Sequence, residues 1–593
     1  MFNVRLLFII LASLISQVAA SDEFSPSYDA YNSASYGARP DNIFHSTDIV
    51  APLLQINTWN HDAVSTAGSH IFLRHDGEKS SPLILNAGDL SVVYVNRSYE
   101  AVFDLRVQQS RGQNYLTFYA GPIVDGHGNG YGLVLNEAYE LVHMVSAQNL
   151  SVHSDLHEFQ LTGHGTALVT AYEKVKKDLK PWRGSKYGYI VDSVFQEIDL
   201  ETNELLFMWR ASDHIDLADS YQKVGQDWDF FHINSITKTT AGNYLISARH
   251  MHSIYLISGT TGDILWTLGG KKNDFIEPNR GIESGFSNDA LAFAWQHHAR
   301  FFHGNESELT FFDNHVLVTT VGCKQDCSRG VHVALDTSDQ KTVTLLQEYL
   351  HPQSLQAQSQ GSVQPLEGGN VFVGWGRSPS FTEHDAQGNA VLDVQFAPWH
   401  SKGIDSLDNY RAYKMDWTGQ PKWPPSVAAV KDHKDNSKVY VSWNGATEVR
   451  EWVLLASESR YDLNGFKKVV ARVPKSGFET SFDLGPNMKE KFARVAALDV
   501  EGMILGSTGI VQISTGRVSE SNTEITSVVQ TEAEAAESQS EDDDEDKYDD
   551  HGSSSVATTM DADIPGAILF PKGVHIALGL VMIVGLVLVT VLS

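Results

Sequence analysis

The feature that most restricts the fold of this chain is a unit that recurs along its middle. The unit reads as a strand carrying a His or an aromatic residue, a Gly or Asn turn, a second strand, and then a hairpin of apolar strand, acidic turn and apolar strand. The clearest copy runs through Phe231-His-Ile-Asn-Ser-Ile, Gly242-Asn-Tyr-Leu-Ile-Ser-Ala-Arg, Ser253-Ile-Tyr-Leu-Ile and Thr261-Gly-Asp-Ile-Leu-Trp-Thr-Leu-Gly. Other copies start near His70, Tyr115, Leu156, Gln296 and Ser362, with little helical periodicity between them. One four-stranded sheet cannot bury both faces by itself, whereas six arranged radially can, around a channel lined by their innermost strands. The expected fold is therefore all-β: a six-bladed β-propeller over residues 70–419, preferred to a pair of β-sandwiches because the Thr-Gly-Asp type of hairpin recurs.

A Pro-rich break, Gln420-Pro-Lys-Trp-Pro-Pro-Ser, ends the repeats, since proline cannot sit in a central strand. Residues 426–515 then alternate apolar and polar in the manner of a fibronectin III/immunoglobulin-like β-sandwich. Its expected role is structural.

The two ends place the chain in the secretory pathway. Residues 1–20 set one Arg before an apolar run that finishes in small residues, the layout of a signal peptide cleaved near Ser21, and 21–69 form an N-terminal extension. Residues 516–572 turn to Ser, Thr, Glu and Asp and are expected to be a disordered stalk, a self-repelling linker in preference to a calcium- or partner-binding tail. Residues 573–593 form a hydrophobic segment long enough to cross a bilayer. A GPI anchor signal and a single transmembrane helix both stay open for it, and either tethers the protein to the membrane on the extracellular side. Sequons at Asn96, Asn149 and Asn305 are compatible with a glycoprotein of that pathway. The two cysteines, Cys323 and Cys327, favour a local disulfide over a metal site, because no further ligands sit nearby at metal-site spacing. A net charge of −29 argues against nucleic acid as a partner.

The chemistry is expected where inner strands face the channel, and those strands carry histidines. Asp155-Leu-His-Glu offers His157, Asp229-Phe-Phe-His-Ile-Asn offers His232 and Asn234, and Trp295-Gln-His-His-Ala-Arg offers His297 and His298. Strand side chains alternate, so His232 and Asn234 share a face while only one of His297 and His298 can point into the channel. Arg249 follows on the next strand and can present a fixed positive charge to an anion, with His250 and His252 beside it. A lone strand histidine is more often a satisfied core residue, but three in equivalent positions point to a site. A zinc or copper centre is disfavoured, because the spacing is not that of a metalloprotease and no acidic base accompanies the histidines, so neither metal nor cofactor is expected.

The run from Asp229-Phe-Phe-His-Ile-Asn through Gly242-Asn-Tyr-Leu-Ile-Ser-Ala-Arg-His and Gly262-Asp-Ile-Leu-Trp-Thr-Leu-Gly-Gly to Trp295-Gln-His-His-Ala-Arg-Phe resembles the arylsulfotransferase family in its fungal secreted branch. The resemblance spans roughly residues 155–417. It implies a six-bladed propeller that moves a sulfuryl group from a phenolic sulfate donor to a phenol acceptor through a sulfohistidine, without a nucleotide donor. It further implies that Gln296-His297 is the nucleophile motif, His232 and Asn234 the sulfate-binding pair, Arg249 the sulfate-binding arginine and His157 the third-blade histidine. Ser362 is the nearest candidate for the family's sixth-blade hydroxyl contact. The rival from another class is a non-catalytic propeller that binds an aromatic, glycan or protein ligand; the joint presence of His232, Asn234 and Arg249 favours the enzyme.

Overall fold

The computed structural model describes residues 24–76, 80–281, 285–399, 409–431, 437–485, 488–521 and 523–530. The segment expected as a signal peptide, most of the expected stalk and the hydrophobic segment at 573–593 lie outside them. Among the described residues no helix is long and apolar enough to cross a membrane.

Six sheets of four or five strands make the propeller, antiparallel throughout except for the short added strand Asp227–Trp228, which pairs in parallel with Gly188–Asp199. Blade 2 holds Val102–Ser110, Gln113–Ala120, Tyr131–Leu135 and Leu141–Val145. Blade 3 runs Phe159–Leu161, Thr166–Lys177, Gly188–Asp199 and Leu205–Arg210. Blade 4 runs Ile233–Lys238, Tyr244–Ala248, Ser253–Ile257 and Ile264–Gly269, and blade 5 runs His297–Phe302, Asn305–Asp313, Arg329–Asp336 and Thr342–Leu350. In each, the chain passes from the innermost strand outward, which sets the first residues of every unit around the axis. Aromatic side chains fill the seams. Between blades 3 and 4, Phe195, Trp209, Phe231, Tyr244 and Tyr255 are buried together, each worth roughly 2–3 kcal/mol of apolar burial.

The ring is closed by both ends of the propeller segment. Tyr413–Met415, which follows blade 6 (Ser362–Pro365, Val371–Gly374, Ser380–His384 and Ala390–Gln395), becomes the innermost strand of blade 1 beside His70–Asp76, Ser80–Asn86 and Val92–Val95, pairing Tyr413 with Phe72 and Met415 with His70. Gln55–Trp59, which precedes blade 1, becomes a fifth, outermost strand of blade 6 beside Ala390–Gln395. The N-terminal extension expected at 21–69 is thus partly built into the ring, and this double pairing removes two free sheet edges. The inner strand of blade 2 begins at Val102, ahead of the Tyr115 start read from the sequence. Its inward residues Asp104, Arg106 and Gln108 are charged or polar, so it lacks the apolar run by which a buried strand is recognised.

The C-terminal sandwich sets Ser426–Lys431, Ser437–Ser442 and Glu479–Leu484 against Val469–Pro474, Glu451–Ser457 and Phe492–Leu498 around Val439, Trp452, Leu454 and Val495. It docks on the propeller through hydrogen bonds. The Asn444 amide donates to the Val95 carbonyl at 2.9 Å and accepts from the Val95 N–H at 3.0 Å, and the Tyr139 hydroxyl donates to Gly445 at 2.7 Å. A cavity of about 690 Å³ at this junction, lined by Trp59, His70, Asp416, Trp417 and Arg450 among others, contains none of the channel histidines.

Candidate active site

Two buried polar layers occupy the axis. The lower one is ionic. Glu158, fully buried, accepts from Arg106 at 2.6 Å, Arg300 at 2.5 Å and Arg411 at 3.2 Å, while Asp104 pairs with Arg106 at 3.2 Å and Arg411 at 3.0 Å and accepts from the Tyr413 hydroxyl at 3.0 Å. Burial opposes the Glu158 charge, but the guanidiniums win and hold its carboxyl far below the usual range. Three guanidiniums against two carboxylates leave this plug with one net positive charge.

Above the plug the structure gathers imidazoles. His157 turns Nδ1 to Asp155 at 2.7 Å, and His232 turns Nδ1 to Asp229 in a short hydrogen bond. The rings of His157 and His232 lie 4.6 Å apart, and those of His232 and His250 also 4.6 Å. No hydrogen bond from a described residue reaches Nε2 of His157 or His232. The site is also a locus of backbone strain. His232, His252, Trp295 and His298 adopt the left-handed region at φ of 58°, 51°, 57° and 57°, a conformation that costs about 1–3 kcal/mol per non-glycine residue and clusters at functional sites.

The sequence left His297 and His298 as alternatives, and their surroundings distinguish them. His298 is held on both nitrogens, by the Tyr413 hydroxyl at 3.1 Å and the Val363 N–H at 3.2 Å, against the plug. His297 faces the loop before blade 6. The Asn314 amide donates to the carbonyls of Ala357 at 2.8 Å and Gln360 at 3.0 Å, which fixes its Oδ1 towards His297 Nδ1 at 2.6 Å. Nδ1 therefore carries the proton, and Nε2 is a lone pair, which accepts the Gln360 N–H at 3.1 Å. Burial, then Arg249, lowers the His297 pKa well below its ordinary value, so the ring is neutral at physiological pH.

The other expected residues play differing parts. Arg249 opens a single 3-10 turn, Arg249–Met251, just past its strand. It donates to His250 Nε2 at 2.9 Å and to the Gln358 carbonyl at 3.2 Å, and lies 5.2 Å above the Trp295 ring. Its Nε is buried without a partner, and burial lowers its pKa to about 10, so it stays charged. Asn234 donates to the Gln296 carbonyl at 2.7 Å and Gln296 donates to Ser247, Ala248 and Ser253, so both brace the backbone that carries His297. Ser362 exchanges hydrogen bonds with Ala412 at 3.0 Å and is spent on the blade 6 to blade 1 seam. Cys323 and Cys327 are joined in a disulfide. Asn149 and Asn305 are exposed, while Asn96 is half-buried beside Tyr94.

Several site residues were not singled out from the sequence. His127 arrives from a Gly-rich hairpin in blade 2, Gly126-His-Gly-Asn-Gly, and its Nε2 meets Asp229 at 3.1 Å, 102 residues away. Gly128 makes this possible: its N–H donates to Asp155 at 2.6 Å, and a Cβ there would stand 2.6 Å from the Leu156 nitrogen. Although burial opposes it, Asp229 raises the His127 pKa. Asp155 and Asp229 stand two and three residues ahead of their histidines, a spacing visible in the motifs quoted above; the contribution of Asn314 has no such signal. His127, Asp229 and His232 also offer three ligand atoms within 4.8 Å of one another, alone among the described residues. An acidic partner thus does accompany the histidines, contrary to the sequence-based argument against a metal.

Among solved structures, a protein of unknown function from Bacteroides caccae is 11% identical, with 58% of this chain and 98% of that chain covered and a TM-score of 0.35. The β-propeller domain of Myceliophteria thermophila Cps50 is 10% identical, with 65% and 95% covered and a TM-score of 0.31. At these scores neither carries an argument about this chain's site. No curated protein matches the chain. Residues 106–397, which contain all five expected site residues together with His127, Asp229 and Asn314, match the family model described as arylsulfotransferase (ASST), and this segment is a domain of the arylsulfotransferase family.

Proposed function

We propose that the chain moves a sulfuryl group from a phenolic sulfate ester to a phenol acceptor, with His297 as the covalent carrier. The observation that supports this most is the fixed tautomer of His297, which an Asn-backed ring needs if Nε2 is to attack sulfur. In the first half-reaction the Nε2–S bond forms as the S–O(aryl) bond breaks, and the phenolate takes a proton from the His157 imidazolium, whose charge Asp155 stabilises. In the second, His157 takes the proton of the acceptor phenol as its oxygen attacks sulfur and frees His297. Atoms and charge balance without a nucleotide donor. Arg249 and the Gln360 N–H, released from the lone pair when the N–S bond forms, stabilise charge on the sulfuryl oxygens. The net positive plug beneath draws the anionic donor in.

The same reading places the protein at the cell surface, secreted and tethered through its C-terminal hydrophobic segment; the Cys323–Cys327 disulfide supports an oxidising compartment. The test is to incubate the purified protein with a chromogenic aryl sulfate and a phenol. Acceptor-dependent release of the donor phenol and a sulfuryl adduct on His297 by mass spectrometry are expected, with both lost in His297→Ala. A folded protein that releases no phenol across a broad donor panel would instead favour a non-catalytic binding propeller.

A further inference from the structure

Asp229 lies between two imidazoles from different parts of the ring. His127 comes from the blade 2 hairpin and His232 from the entry to blade 4, and both aim a ring nitrogen at the same carboxylate oxygen. Side-chain exposures of 17%, 14% and 12% for His127, Asp229 and His232 leave one side of the group open. The second Asp229 oxygen, Oδ1, is buried with no hydrogen-bond partner, an expensive state for a carboxylate. Its backbone is anchored from behind, where His250 Nδ1 donates to the Asp229 carbonyl at 2.5 Å. Ligand atoms about 2.0–2.2 Å from a tetrahedral ion stand roughly 3.3–3.6 Å from each other, and His127 Nε2 and Asp229 are already 3.1 Å apart.

We propose that His127, Asp229 and His232 form a binding site for a zinc-class divalent ion, with a fourth position open to the channel. Two histidines and one carboxylate are a known zinc ligand set with an exchangeable position, and soft-ligand metals are disfavoured by the absence of sulfur. Coordination replaces the two imidazole hydrogen bonds of Asp229 with metal bonds. It also settles a question of protons. A neutral imidazole has one N–H, and while His232 spends it on Asp229 its Nε2 is bare. With the ion on Nδ1, that proton sits on Nε2, where His232 becomes a donor to a sulfuryl oxygen. Binding of the ion itself does not depend on sulfuryl transfer.

The experiment is calorimetric titration of zinc chloride into the chelator-treated protein prepared without a histidine tag, with bound zinc counted by elemental analysis. One ion per chain is expected, with affinity reduced at least ~100-fold in His127→Ala and unchanged in the exposed-loop control His164→Ala. No uptake by the unsubstituted protein, or equal uptake by His127→Ala, overturns the site. Should His127→Ala fail to fold, the visible spectrum of cobalt(II) added to the unsubstituted protein decides: an intense four-coordinate spectrum supports the site, and the pale aquo-ion spectrum overturns it. His297→Ala separates this inference from the transfer reading. Zinc binding that persists in His297→Ala while the unsubstituted protein shows no transfer removes only the transfer reading, and transfer without zinc binding removes only the metal site.

Discussion

The ionic plug and the imidazole layer above it lie around the same axis of the same ring, yet they differ in how completely their acidic and amide oxygens are used. In the plug each carboxylate oxygen is ion-paired or hydrogen-bonded and Arg106 Nε is the one guanidinium nitrogen buried without a partner, while Glu158 alone collects three guanidiniums and the Ile236 N–H. In the upper layer Asp229 Oδ1, Asn234 Oδ1, Arg249 Nε and His252 Nε2 are buried without partners, while left-handed backbone occurs in both layers, at His232 and His252 above and at Asp104 and His298 in the plug. Satisfied buried charge fixes a structure, whereas unpaired buried polarity costs stability and persists where a ligand or reaction uses it. The pairing of charges, more than burial or conspicuous residue type, separates scaffold from site on this axis.

The largest effect that tests this contrast is on the plug. Glu158→Ala leaves three guanidiniums facing one carboxylate, and denaturant titration is expected to show a loss of about 3–5 kcal/mol. An unchanged midpoint would mean that the plug is not structural. In the upper layer Arg249→Lys keeps a charge but loses the planar fork, and kcat is expected to fall about 10²-fold with the denaturation midpoint nearly unmoved. If stability falls as much as for Glu158→Ala, the contrast between the layers fails.

Asn314→Asp sharpens the role of His297. A carboxylate behind Nδ1 would raise the pKa of the ring and retain a proton on Nε2 at lower pH. A drop in kcat of about 10-fold below neutrality that recovers as pH rises is expected; a pH-independent drop would mean that Asn314 only packs. Acid stability supplies a smaller effect. Burial alone would raise the Asp155 pKa, but His157 and the other groups around the carboxyl bring it down to about 2. Its folded value lies below the unfolded value near ~4, so its contribution is complete above that pH and is lost as pH falls towards 2. Asp155→Asn should flatten that part of the stability profile. The smallest change is expected for Ser362→Ala: about 1 kcal/mol of stability for its seam hydrogen bonds and a transfer rate within about twofold of the unsubstituted protein.

Much of this was legible in the sequence because it is local. Strand alternation and turn residues mark blades 3 to 6 one by one, and the motifs around His232 and Trp295-Gln-His-His carry the family resemblance within short windows. What escaped is non-local or breaks the apolar rule. The strand Val102–Ser110 was passed over because it faces the plug with charges, and Gln55–Trp59 because its pairing partner is more than 330 residues away. His127 sits among glycines with no strand pattern around it, and only ring closure carries it to Asp229.

By itself the sequence determined the repeat, its all-β character and the histidine-bearing strands that a radial arrangement turns inward, since period-two patterning and turn chemistry act over a few residues. Only the tertiary structure decided which partners hold each of two adjacent histidines, which nitrogen of His297 bears its proton and which acids stand behind the others. Those properties depend on hydrogen-bond partners distant in the chain: Asn314, just past the second strand of the same blade, and Gln360 for His297, and Tyr413 and Val363 for His298. Their positions are set when the first and last strands close the ring, because that closure fixes all six blades around one axis.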